Sequence, residues 1–218
     1  MEQFMALLHE SDGESTEPPP PEKYGYMLGP MEGRSSYKER YWIIYDKTIF
    51  TVLSEDTYFD PEDKFERNPL VAHFQTGNGF DFILVNVHVK PGDAKAEIES
   101  LSEVALYYQE LWGERDVFLL GDFNADGGYY DESLLLTMFP EDAYRIVITN
   151  EHDTTVAANT NTYDRFIITS EAVEDFTGNF GVIRFNELYD FDQLGIAPSA
   201  VSDHYPIWAE FYTGRDTD

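Results

Sequence analysis

Cysteine is absent from all 218 residues. That excludes disulfides, thiolate metal sites and a catalytic thiol, and it leaves the redox character of the compartment open. No apolar run approaches the roughly 20 residues of a membrane-spanning helix, so no membrane partner is expected. Met1 to Glu10 lacks the basic start and long apolar stretch of a signal peptide. Basic residues are scarce: 14 Lys and Arg stand against 42 Asp and Glu, a formal net charge of −28. Five histidines occur without an HExxH pattern, so a zinc protease site is not expected. No GxxxxGK[ST] loop is present, which removes the phosphate cradle of P-loop enzymes.

The acidic excess has two consequences. Self-repulsion of this size destabilises a compact chain unless salt screens it, so a high-salt setting is expected. It also weighs against ordinary nucleic-acid binding, which gains affinity from Lys and Arg on phosphates. Action on nucleic acid would need divalent cations or high salt to offset the repulsion. Hydrophobic residues make up 42% and aromatics 16%, enough for a globular core in one domain.

Gln3 to His9 reads as the end of an amphipathic helix, with Phe4, Leu7 and Leu8 on one side. Ser11 to Lys23, with its acids and the run Pro18 to Pro21, reads as a loop. Residues 24–213 then form the main domain, and 214–218 a tail. Strands are expected at Tyr41 to Tyr45 and Phe50 to Leu53, with an Asp46-Lys47 turn between them. Leu70 to Phe74 and Asp81 to His88 follow, the latter apolar on both faces. Pro91-Gly92-Asp93 breaks the chain, and Asp93 is a candidate N-cap. Ile98, Leu101, Val104, Ala105, Tyr108 and Leu111 recur at helical spacing up to Gly113. Val117 to Leu120 reads as a strand stopped by Gly121. Arg145 to Thr149, Phe166 to Thr169, Gly181 to Phe185 and Ile207 to Tyr212 complete the expected strands. Many strands and few helices imply an α+β sandwich of sheets with helices outside.

Polar clusters stand at the ends of these strands, where loops present side chains. They are Ser36 to Tyr41, Asn86-Val87-His88, Gly121 to Asp126, Tyr163-Asp164-Arg165 and Ser202 to Pro206. Singly, each has an ordinary reading as a turn cap or a structural histidine. Asp122, Asn124, Asp126 and Gly127 open like a calcium EF-hand loop. Such a loop needs Glu six residues after its Gly, where Ser133 stands, and a strand rather than a helix precedes it. The EF-hand is rejected.

Together the clusters resemble the endonuclease/exonuclease/phosphatase superfamily, and its DNase I branch in particular. Gly121-Asp122-Phe123-Asn124 and Ser202-Asp203-His204-Tyr205-Pro206 carry the superfamily resemblance. Arg34 to Tyr41 and Tyr163-Asp164-Arg165 point to the DNase I branch, and the order along the chain is the family's order. The resemblance covers about Tyr24 to Phe211. It implies a four-layered α/β/β/α sandwich and phosphodiester hydrolysis with Mg²⁺ or Mn²⁺. His88 paired with Glu39, and His204 paired with Asp164, would be the catalytic couples. Asp122, Asn124 and Asp203 would hold metal, phosphate or the attacking water. Arg34 and Tyr37 match a loop that enters the DNA minor groove, and Arg67 resembles a phosphate contact. Asp153 and Thr155 match part of a structural Ca²⁺ site, although Ala157 departs from the Thr expected there. DNA is the implied substrate, with RNA as an alternative.

The resemblance also implies two strands before the first helix, one ending in a metal-binding Asn and one in a Gln-Glu pair. Neither is visible, and Glu2 is the only acid near the right place. A weakened metal site and an apolar sheet edge open to self-association are the expected consequences. Two other readings remain: a phosphatase or phospholipid phosphodiesterase on the same fold, and a catalytically impaired binding module. The compartment is extracellular if a longer form resembles secreted relatives, and otherwise the cytoplasm of a halophile.

Overall fold

The structure is a computed structural model in which residues 23–216 are described. The expected helix at Gln3 to His9, Glu2, the loop up to residue 22 and the last two residues of the tail lie outside that range.

Strand β1 (Tyr24–Leu28) pairs antiparallel with β2 (Trp42–Asp46) as a two-stranded ribbon. β1 is not among the expected strands, because its five residues directly follow the acidic, proline-rich stretch. The Asp46-Lys47 turn exists: the Ile49 N–H donates to Asp46 O at 3.1 Å, and Asp46 Oδ1 accepts from the Thr48 N–H and hydroxyl. It does not close a hairpin. It passes the chain from the ribbon to a separate six-stranded sheet.

That sheet comprises β3 (Phe50–Thr57), β4 (Leu70–Thr76), β5 (Asp81–His88), β6 (Val117–Asp122), β7 (Tyr144–Ile146) and β8 (Asp164–Thr169), in the order β3-β4-β5-β6-β8-β7. Only β5 and β6 run parallel within it, joined by the crossover helix α1 (Ala94–Trp112). A second ribbon pairs β9 (Phe176–Val182) with β10 (Ile207–Phe211). Three short helices, α2 (Leu135–Met138), α3 (Phe185–Leu188) and α4 (Phe191–Leu194), complete the described elements longer than a 3₁₀ turn.

Both faces of the large sheet are buried. Val71, Ile83, Val85, Val87, Leu119 and Ile167 meet Ile98, Leu101, Val104, Ala105 and Tyr108 of α1. On the other face Phe74, Phe82, Phe118 and Phe166 meet Met27, Ile43 and Tyr45 of the first ribbon and Phe176, Ile207 and Phe211 of the second. Burying each such Leu, Ile or Val stabilises the fold by about 2 kcal/mol. Two β layers with helix packed outside form the expected layered sandwich.

The predicted end of α1 holds: Gly113 adopts a left-handed φ of 75° and its N–H donates to Gln109 O at 2.9 Å. Asp93 stands at the predicted N-cap position, but it also closes a 3₁₀ turn, and its carboxylate pairs with Lys90 Nζ at 2.8 Å rather than accepting a first-turn N–H. β7 is shorter than expected. β9 begins at Phe176 rather than Gly181, and Phe185 opens α3 rather than ending a strand.

Gly121 does not stop β6. The strand continues through it to Asp122 with φ at 133°, and a Cβ there would lie 2.0 Å from Val87 O of the neighbouring strand. Only glycine permits both the backbone angle and the approach. Gly121→Ala is therefore expected to lower the unfolding free energy by more than about 2 kcal/mol. Urea denaturation checks this, and an unchanged midpoint contradicts it.

Candidate active site

The strand ends create the site. In the parallel β5–β6 pair His88 lies level with Asp122, and in the antiparallel β6–β8 pair Asp122 lies level with Asp164. Three polar side chains thus stand in one row across three adjacent strands. Polar residues suit this rim, where the apolar strands end and loops begin.

The loop before β2 brings the first carboxylate. A bridge between Glu32 and Glu39 closes it, and Glu39 Oε2 lies 2.6 Å from His88 Nδ1. Arg67 holds this couple from behind. Its Nε and Nη2 donate to His88 O at 3.0 and 2.8 Å, and Nη1 stands 3.4 Å from Glu39 Oε1. The His88 N–H donates to the Tyr41 hydroxyl at 2.8 Å, and burial pushes that phenol up to about 12, so it stays neutral.

The second couple forms between β8 and the segment before β10. His204 Nδ1 lies 2.8 Å from Asp164 Oδ2. The hydrogen bond to Asp164 raises the imidazole to about 9 against the cost of burial, with further help from the Asp164, Asp122 and Asp203 charges. An isolated bridge between Thr155 and His204 pins the loop, as do bonds from Val156 N–H to Asp203 O and from Tyr205 N–H to Thr154 O, both 2.8 Å. The buried Thr154 hydroxyl accepts from the Tyr163 and Asp164 N–H groups at 3.1 and 3.2 Å, setting where β8 begins.

Asp122 sits between the couples. Its Oδ2 is 3.4 Å from His88 Nε2, and its Oδ1 accepts the Asn124 N–H at 2.8 Å. Asn124 takes a left-handed φ of 48°, and its amide nitrogen donates to Val89 O at 2.8 Å. Its carbonyl oxygen is the remaining polar group. His88, Asp122, Asn124, Asp164, Asp203 and His204 all line one open cleft of about 610 Å³, with Tyr37 and Tyr163 beside them. The predicted catalytic and metal residues therefore converge.

The donor set fits a hard divalent cation. Asp122 and Asp164 each offer a carboxylate oxygen within 4.8 Å of the other, and Asn124 and Asp203 line the same cleft with oxygen donors of their own. Burial, and then the neighbouring Asp164 charge, push the Asp122 carboxyl up. A cation bound there would reverse that crowding.

The predicted substrate contacts divide. Tyr37 is 72% exposed and reaches the cleft. Arg34 folds back: its guanidinium donates to the Asp63 and Phe65 carbonyls and pairs with the Asp63 carboxylate. Arg67 is 8% exposed, and its guanidinium is bonded to Glu39 and His88 O. The expected calcium loop carries its own cation. Asp153 Oδ1 accepts from Thr155 and Asn161, while Oδ2 faces the Arg184 guanidinium at 3.5 Å. Arg184 also lies over the Tyr205 ring.

Three positioning residues were not read from the sequence: Tyr41, Thr154 and Glu97. The Glu97 carboxylate, buried in α1, accepts the Glu66 and Lys90 N–H groups at 3.0 and 3.2 Å, and burial raises it to about 7. A charged residue on the apolar face of a helix was the available signal for Glu97.

No protein-family model matches the chain. It is 32% identical over 197 residues to Deoxyribonuclease-1-like 2 of Mus musculus, covering 88% of this chain and 70% of that protein. It is 31% identical over 196 residues to Deoxyribonuclease-1 of Homo sapiens, covering 86% and 70%. Among solved structures, an endonuclease/exonuclease/phosphatase family protein from Bacteroides thetaiotaomicron superposes with a TM-score of 0.62 at 17% identity, over 87% of this chain and 73% of that one. D. rerio TDP2 complexed with a single-strand DNA product gives 0.61 at 17%, over 88% and 78%. By this kinship in sequence, around a fold its neighbours share, the chain belongs to the DNase I-like family within the endonuclease/exonuclease/phosphatase superfamily, a family of phosphodiesterases and nucleases.

Proposed function

We propose that the protein is a divalent-metal-dependent endonuclease that hydrolyses phosphodiester bonds in DNA. The observation that carries this reading is two carboxylate–imidazole couples opening into one cleft, with Asp122 between them. In each couple the carboxylate holds Nδ1, which leaves Nε2 for the substrate side. His204, raised to about 9, carries its proton at neutral pH and donates it to the leaving 3′ oxygen as the P–O bond breaks. His88, backed by Glu39, accepts the proton of the attacking water as the new P–O bond forms. Asp122, Asn124 and Asp203 would hold Mg²⁺ or Mn²⁺, which neutralises charge on a phosphoryl oxygen.

DNA is favoured as substrate by the relatives named deoxyribonuclease and by exposed Tyr37 on the cleft rim. The net charge of −28 favours work at high salt, where repulsion from the polyanion is screened. Plasmid nicking is expected with Mg²⁺ or Mn²⁺, is lost with chelator and persists at high NaCl, with small phosphoesters cleaved poorly. Activity indifferent to chelator rejects the reading.

His88→Ala is expected to lower the nicking rate by at least about 10²-fold. Arg67→Lys tests positioning against phosphate contact. It should lower kcat by roughly ten- to a hundredfold with KM for DNA unchanged, whereas a raised KM alone would restore the phosphate role. The His204 pKa lies above its unfolded value, so the Asp164 couple contributes stability that is complete below pH 6.5 and lost as pH rises through about 9. In Asp164→Asn, NMR titration should show the His204 ring titrating well below 9, nearer 6.5. An unmoved titration would contradict the assignment.

A further inference from the structure

A second group of ligand-type side chains lies at the opposite end of the large sheet. His73 of β4, Asp81 at the start of β5 and Glu114 in the turn between α1 and β6 each place one ligand atom within 4.8 Å of the others. Asp81 and His88 bound the same strand, so this group stands about 23 Å from the catalytic row at the usual rise per residue. It shares no residue with that row.

We propose that His73, Asp81 and Glu114 form a second divalent-metal site, selective for borderline cations of the zinc, cobalt and nickel kind. One imidazole and two carboxylates from three separate elements make a three-ligand set with a position left for water. The nitrogen donor favours these ions over Mg²⁺ and Ca²⁺, which prefer all-oxygen shells.

The groups are held in place before any ion arrives. The Trp112 ring stacks on His73 with centroids 5.8 Å apart and planes 14° from parallel, fixing the imidazole. Glu114 Oε1 accepts the Asp116 N–H at 2.6 Å, fixing that carboxylate. His73 and Glu114 are buried, and Asp81 opens partly to solvent, which gives an entry path. His73 Nε2 already lies 2.8 Å from Asp81 Oδ2, a hydrogen bond that an entering cation would replace by binding both atoms. The bound ion would tie β4, β5 and the α1–β6 turn together and offset the like charges of Asp81 and Glu114.

Trp112 supplies the test. The metal-free full chain is titrated with Co²⁺ in excess MgCl₂ and NaCl, which occupy oxygen-only sites, while tryptophan fluorescence is read. Saturable quenching is expected, reversed by Zn²⁺ and lost in Trp112→Phe. His73→Gln and Asp81→Asn should each raise the half-saturation concentration by at least about tenfold. Circular dichroism reports whether each variant folds. If His73→Gln does not, the partly exposed Asp81→Asn decides. Identical curves for wild type and Asp81→Asn overturn the proposal, as does wild-type quenching that fails to saturate below about 1 mM. Neither result bears on the nuclease reading, whose groups lie at the other rim.

Discussion

The contact between Gly121 and Val87 O is the constraint on which the site depends. It lets β6 run two residues past its apolar stretch beside β5, so that Asp122 comes level with His88 and Asp164. A side chain at Gly121 would force the strands apart at the point where polar residues must meet. This polar row is a property of strand register, and register is fixed by the apolar faces that the large sheet buries on both sides.

Around that row, the protein neutralises acids locally although its total charge is strongly negative. Arg67 serves Glu39 and His88 together, and Arg184 closes the Asp153 loop. His204 is held as a cation by Asp164. Asp122, pushed up by burial and by its acidic neighbour, is the carboxylate that such partners leave in tension, and a divalent cation would relieve it. Arg67 and Arg184 thus act as positioning groups for the acids around the cleft.

The role of a basic residue near a strand end was not legible from the sequence. Arg34 and Arg67 occupy comparable places in motifs that suggest phosphate contact. The structure folds one against the 63–66 loop and buries the other behind Glu39, because nearby carbonyls and carboxylates satisfy their donors more fully than solvent does. Tyr37, with an apolar ring and a polar tip, stays at the rim.

By itself, the sequence determined the helix from Ala94 to Gly113, the alternating strand Asp81 to His88 and the polar motifs that supply the two carboxylate–imidazole couples, since periodicity and turn chemistry are local. Tertiary structure decided the rest: the separation of β2 from β3 into different sheets, the passage of β6 through Gly121, the burial of Glu97 and Arg67, and the meeting of His73 with Asp81 and Glu114. These depend on which distant segments pack together, and no local pattern encodes a contact between residues many positions apart.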